Sequence, residues 1–184
     1  KDDTYTDYRW RSVYDDHTTG ASLEGGWQAG RHAIRLASHY KRDYHEEIDP
    51  DAPADPHPEY EDETVSGAAE DTVTFTERLK VTFGANVDRQ DTVTAKDFDN
   101  GTFGELETGA DEAANLQAQL HYALDPNHDL FAEAGHRTRF ATIKERYSRK
   151  FGRKKPNPDL EAETANHFEL GLDGMDPGRH HYRV

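Results

Sequence analysis

Residues 4–184 fall into about nine runs in which apolar and polar side chains alternate with a period of two, the pattern of half-buried strands. The joints between the runs alternate in length. Ala29-Gly30, Thr76-Glu77-Arg78-Leu79, Asp125-Pro126-Asn127-His128 and residues 173–178 are tight. Residues 45–63, 92–114 and 138–164 are long and polar. Strict alternation puts every long connection on one side of an antiparallel sheet, as in a membrane-spanning meander. The expected fold is therefore all-β. It is an antiparallel up-and-down β-barrel or barrel segment of about 8–9 strands with long loops on one side. The whole chain, residues 1–184, reads as one barrel-like domain.

The stripes can be read residue by residue. Residues 4–14 place Tyr8, Trp10 and Tyr14 on one face, and residues 18–29 place Leu23, Gly25 and Trp27 on one face. Ile34, Leu36, Ser38 and Tyr40 follow in 31–44, then Val65, Gly67, Ala69 and Val73. Val81, Phe83, Ala85 and Val87 precede Leu116, Ala118, Leu120 and Tyr122. Leu130, Ala132 and Ala134, then Phe168, Leu170 and Leu172, complete the series. Many of these runs match or exceed the ~9–11 residues that a tilted strand needs to cross a bilayer. Tyr5, Tyr8, Tyr14, Tyr40, Tyr44 and Tyr122 sit near run ends, where an aromatic girdle would lie. The stripes are thin, however. His32, Ser38 and Asp71 fall on apolar faces.

Composition narrows the function. Net charge is -15, from 37 acidic against 22 basic residues, which repels phosphate backbones and excludes nucleic acid as a partner. There is no cysteine, so neither a disulfide framework nor a thiolate metal site is available. No run of 18 apolar residues occurs, so a transmembrane helix is not expected. The chain opens Lys1-Asp2-Asp3 without a leader, and Arg179–Val184 reads as the start of a strand, so a fragment or shortened barrel is expected. No Gly-x-Ser-x-Gly, Walker loop or His-Glu-x-x-His is present, and an enzyme is the least supported class. No cofactor is expected. His45 with Glu46 and Glu47, and His57 beside the acidic Pro-rich segment 49–63, are better read as solvated groups than as metal ligands. Residues 142–150 are expected to form a short helical turn.

One stretch is more specific. Asp129 to Phe140 reads DLFAEAGHRTRF and runs on through Ala141-Thr142-Ile143. Pro156-Asn157-Pro158-Asp159-Leu160 and then Asn166-His167-Phe168-Glu169-Leu170-Gly171 follow. This resembles the barrel domain of TonB-dependent outer-membrane receptors, with an Arg-Phe-Pro-Thr-Leu-like strand end, an Asn-Pro-Asp-Leu loop and an Asn-x-Glu-Leu-Gly strand. Here Ala141 and Ala162 stand where the family often has Pro. Family barrels close about 22 strands, so this chain offers only a part of one, without a recognisable plug domain.

The resemblance implies uptake of a scarce nutrient, such as a ferric siderophore or similar chelate, through a bacterial outer membrane. Outer-membrane lipid would be one partner. A periplasmic energy-coupling protein would be another where a plug domain exists. The one basic cluster supplies the candidate ligand contacts: Arg137, Arg139, Lys144, Arg146 and Arg149. Its bland reading is charge balance against the acidic loops. Two other functions fit the composition. One is a water-soluble barrel that keeps the receptor-like shape without transport. The other is an acidic secreted β-domain that binds cations.

Overall fold

A computed structural model describes residues 12–99, 101–147, 155–175 and 180–184. Its strands are β1 (Val13–Ala29), β2 (His32–Ile48), β3 (Glu59–Thr74), β4 (Leu79–Asp99), β5 (Thr102–Glu105), β6 (Ala110–Asp125), β7 (His128–Arg139), β8 (Glu163–Met175) and β9 (His181–Arg183). One five-residue helix, α1 (Ile143–Tyr147), follows β7. The strands form a single nine-stranded antiparallel sheet in the order β1-β2-β3-β4-β6-β7-β8-β9, with β5 paired to the far end of β4. This is the expected meander. The tight turns after β1, β3 and β6 lie at one end of the sheet and the long connections at the other; of the joint expected at 173–178, residues 173–175 belong to β8 and 176–178 lie outside the described residues.

The turns have local causes. Gly30 takes the left-handed region at φ 64° and closes the two-residue link from β1 to β2. The Thr76 hydroxyl accepts from the amides of Arg78 and Leu79 at 3.2 and 3.0 Å. Asp125 Oδ1 accepts from the Asn127 amide at 2.8 Å, and that bond, with His128 beside it, holds the carboxyl below its ordinary range.

The strands are longer than their apolar stripes. Residues 15–17, read from the sequence as a break, lie inside β1, and of the first expected run only 12–14 fall among the described residues. The long connections also shrink, because β2 runs to Ile48, β3 starts at Glu59 and β4 continues to Asp99. Cross-strand polar pairs replace apolar contact there. Thr18 donates to Asp43 at 2.7 Å, Lys96 Nζ lies 2.9 Å from Glu59, and Arg42 is paired with Glu61. A bulge at Glu61/Asp62 absorbs one residue of β4 in this extension.

Register assigns the two faces. One row runs Trp27, Ile34, Asp71, Phe83, Ala118, Ala134, Phe168, and the next runs Gly25, Leu36, Ala69, Ala85, Leu116. Leu23, Ser38, Gly67, Val87 and Ala114 make the row beyond. This face is apolar and exposed: Leu23 keeps 77% of its accessibility and Phe168 85%. Its polar members pair with each other. His32 Nδ1 lies 2.6 Å from Asp71, and His136 Nδ1 lies 2.8 Å from Asn166. The opposite face carries Arg35, Glu70, Gln117 and His167, with Gly26, Gly84 and Gly135 between them in the same row. Those glycines make room. A Cβ on Gly84 would meet Gln117 at 2.8 Å, and one on Gly135 would meet His167 at 2.3 Å.

The buried core sits at the long-loop end, on the polar face. The chain after β7 folds back over β6 and β4 and brings α1 against β3. Tyr147 is fully buried against Tyr60 and Ala95, with Leu106 and Ile143 around them. Beneath it lies a buried polar group. Arg146 is paired with Asp111 and donates to Thr92 at 3.4 Å. Asp62 is 1% exposed beside them, and burial pushes its carboxyl up against the opposing pull of Thr92 and Arg146.

Two outcomes follow from this core. Tyr147→Ala removes a fully buried ring, worth about 3 kcal/mol. The effect should be local, since α1 hangs on this contact. Trypsin should cut at Lys144 and Arg146 roughly tenfold faster or more, with the sheet's circular dichroism kept; unchanged cleavage would show that α1 is anchored elsewhere. The Asp62 carboxyl binds its proton more tightly when folded than when unfolded. Its favourable contribution is present below the unfolded value near pH ~4 and is lost as pH rises through the folded value. Asp62→Asn should therefore raise the melting temperature in detergent at about pH 7.5, with the gain closing near pH ~4. A gain that is the same at both pH values would refute this.

Candidate functional site at the long-loop end

A column of rings crosses the polar face at this end. Tyr14 of β1 stacks on His45 of β2, with centroids 5.6 Å apart and planes at 22°. His45 stacks on Tyr60 of β3 at 6.0 Å and 19°, and Tyr60 on Tyr147 of α1 at 5.4 Å and 25°. Register causes this alignment: Tyr14 lies opposite Glu47 and His45 opposite Tyr60, so all four positions point to one face. The column is tied at its polar edges. His45 Nδ1 bonds Asp16, the Tyr60 hydroxyl donates to Asp97 at 2.9 Å, and the Tyr147 hydroxyl donates to the Glu107 carbonyl at 3.2 Å.

Helix α1 is held in place by reciprocal capping. The Thr142 amide donates to Glu145 Oε2 at 2.9 Å, while the Glu145 amide donates to the Thr142 hydroxyl at 3.3 Å. Arg139 binds the same carboxylate at 2.9 and 3.1 Å and, with Thr142, brings the Glu145 pKa down to about 2. Fixed in this way, α1 sets Tyr147 on one end of the column and Lys144 over the other, with Nζ 4.8 Å from the Tyr14 ring centre.

Beside the column lies a cavity of about 780 Å³. The segment that follows β2 forms one wall with Ala52, Pro56 and Pro58, and Phe98 and Ile143 close the others. Glu47, Asp49, Asp55 and Asp97 line it. Glu47 accepts from the Ser12 hydroxyl at 2.7 Å, and His57 Nε2 lies 2.7 Å from Glu46. Flat ring faces, hydroxyls and carboxylates surround an open volume, the lining that suits a compact organic ligand. Among the described residues no group of three or more His, Asp or Glu is placed to hold a metal ion.

The basic candidates are dispersed. Lys144 lines the cavity. Arg137 faces the neighbouring trough of the polar face, with Nη2 3.8 Å from Glu133. Arg139 is shared between Glu145 and Glu163, the latter at 3.0 Å. Arg146 is buried in its pair with Asp111, and its position gives it no access to the cavity. Arg149 lies outside the described residues. The ring column was not read from the sequence. Tyr14 was expected in an outward girdle, but it points to the polar face; Tyr40 and Tyr122 do face outward. The Thr142-x-x-Glu145 spacing is the one local signal that α1 begins where it does.

Comparison with known proteins places this geometry. Residues 1–184 match the family model described as TonB dependent receptor-like, beta-barrel. Similar solved structures include the copper transporter OprC, at 18% identity and a TM-score of 0.72, covering 90% of this chain and 29% of that one. The siderophore receptor PiuA from Acinetobacter baumannii is 12% identical with a TM-score of 0.65, covering 92% of this chain and 30% of that one. The ferric-catecholate import receptor Fiu from E. coli, in its closed form, is 12% identical with a TM-score of 0.57, covering 91% and 30%. These likenesses show the shared fold, and the chain spans about three tenths of the length of each. A search of curated protein sequences gave no match. An antiparallel meander with one apolar and one polar face, matched end to end by one barrel family, settles the assignment: the chain belongs to the TonB dependent receptor-like β-barrel family.

Proposed function

We propose that this chain forms a single-domain part of an outer-membrane uptake barrel that captures a small nutrient, such as a ferric siderophore or similar chelate, at the long-loop end. One observation carries the reading. The apolar face forms an outward band from Leu79 and Tyr122 to Leu23 and Val87, interrupted by the His32–Asp71 and His136–Asn166 pairs and roughly 27 Å long at 3.4 Å per residue. It gives way over two rows at the long-loop end. The first holds Arg89 with Glu112 beside Ala21, Tyr40 and Val65, and the second holds Arg42, Glu63 and Asp91. An apolar belt about 25 Å tall, bounded by charge, is what a bilayer requires of a barrel exterior.

The cavity then opens on the outside of the cell, and the polar face lines the lumen. Of the sequence candidates, Lys144 and Arg137 keep access to a ligand, Lys144 in the cavity and Arg137 deeper in the lumen. Passage would draw on a periplasmic energy-coupling protein acting on a plug domain of the whole receptor. A second reading, a water-soluble barrel, is favoured by the His32–Asp71 and His136–Asn166 pairs on the outward face.

The two readings separate in one experiment. In the membrane reading the purified chain aggregates in plain buffer and becomes folded and monodisperse in detergent or lipid. Leu36→Arg, in the middle of the band, then costs about 2–4 kcal/mol of stability in lipid. Light scattering and far-UV circular dichroism that show a folded monomer in plain buffer, indifferent to Leu36→Arg, would sink the membrane reading.

A further inference from the structure

We propose that the cavity at the long-loop end selects ligands that combine a planar ring with a net positive charge. This rests on the uptake reading and names the ligand class for the same site. The first support is the ring column. Successive planes are tilted by only 19–25°, so the column presents stacked ring surfaces beside which a flat ring can align. Tyr14 keeps 53% of its accessibility at the rim, while Tyr60 and Tyr147 are buried and act as backing.

The second support is charge, and it runs opposite to the basic cluster in the sequence. Among the described residues, two arginines close to Lys144 in the chain are already neutralised: Arg139 by Glu145 and Glu163, Arg146 by Asp111. Among the described residues, Glu47, Asp49 and Asp55 line the cavity and none is in an ion pair. Among those residues the Glu47 carboxylate accepts from the Ser12 and Tyr14 hydroxyls. Lys144 is the one described lysine or arginine lining the cavity, and it lies over the Tyr14 ring. That contact places one of the chain's own cations against this wall. A ligand cation that moves Lys144 aside and takes its place gains the quadrupole of the ring and the field of three carboxylates, whereas a polyanion meets that field as repulsion. His45 and His57, the other groups able to carry positive charge, are held by Asp16 and Glu46.

The test uses two flat dyes of opposite charge, titrated into the folded chain in nonionic detergent: proflavine, a planar cation, and pyranine, a planar trisulfonate. The expected result is proflavine binding roughly tenfold tighter than pyranine, or more, with Tyr14→Ser and the pair Glu47→Gln/Asp55→Asn each weakening it several-fold. Glu77→Gln, in the tight turn at the far end of the sheet, controls for general attraction to an acidic chain and should leave binding unchanged. Tighter pyranine binding that still depends on Tyr14 would overturn the charge class and leave the uptake reading standing. Proflavine binding indifferent to Tyr14→Ser and to the carboxylate variants, or weakened equally by Glu77→Gln, would overturn the cavity as the site. The uptake reading would still be judged by the detergent experiment.

Discussion

In a sheet whose side chains repeat every second residue, register decides what each residue meets, and a slip of one position exchanges the two faces. Everything else in this molecule depends on that constraint. The same pairing that lines up Trp27, Ile34, Phe83 and Phe168 on the outward face sets Tyr14, His45 and Tyr60 on the inward one. It is held by more than hydrogen bonds. Gly84 and Gly135 lie opposite Gln117 and His167, whose long side chains occupy the space a Cβ would need. A slipped strand would drive those chains against ordinary residues. Gly84 and Gly135 are thus the gaps that fix which strand position faces which.

Much of this was legible. Alternation gave the face of each stripe correctly from Leu23 to Leu172, and Gly30, Thr76 and Asp125 announced their turns. The ends of the strands were not legible. Hydrophobic periodicity vanishes above the apolar band because both faces of the extension are polar, so Glu61 and Asp97 looked like loop. What keeps them extended is pairing across strands, Thr18 with Asp43, Arg42 with Glu61 and Tyr60 with Asp97. Partners that lie 19–37 positions apart leave no mark in a local window.

The site was the least legible part, for a related reason. Charge read along the chain made 137–149 a single basic patch. Once β7 ends and the chain folds back, successive residues of α1 point to different places: Lys144 over Tyr14, Glu145 back to Arg139 and Thr142, Arg146 down to Asp111, and Tyr147 onto Tyr60. Among the described residues, a linear patch has become two accessible cations, Lys144 and Arg137, and a set of anchors. The energetics favour this outcome. A guanidinium buried beside Asp111 and Thr92 needs its partners, and losing one of them would leave an uncompensated charge in the core. Arg146 is thus bound to the fold, at the expense of any ligand.

This redistribution also explains how so polar a chain sustains the fold. Only 33% of its residues are hydrophobic, which is too few for a two-layer core. In the proposed membrane reading a single sheet needs apolar residues on one face alone, and lipid supplies the other layer. Beyond the apolar band the sheet has no such second layer. There α1 provides one locally, laying Tyr147 and Ile143 on Tyr60 and Ala95. The helix that makes the outer extension stable is therefore the same element that builds the wall of the cavity. A ligand that displaced α1 would loosen the strands that hold the ring column, so tight binding favours a ligand that fits beside the helix and leaves its anchors in place.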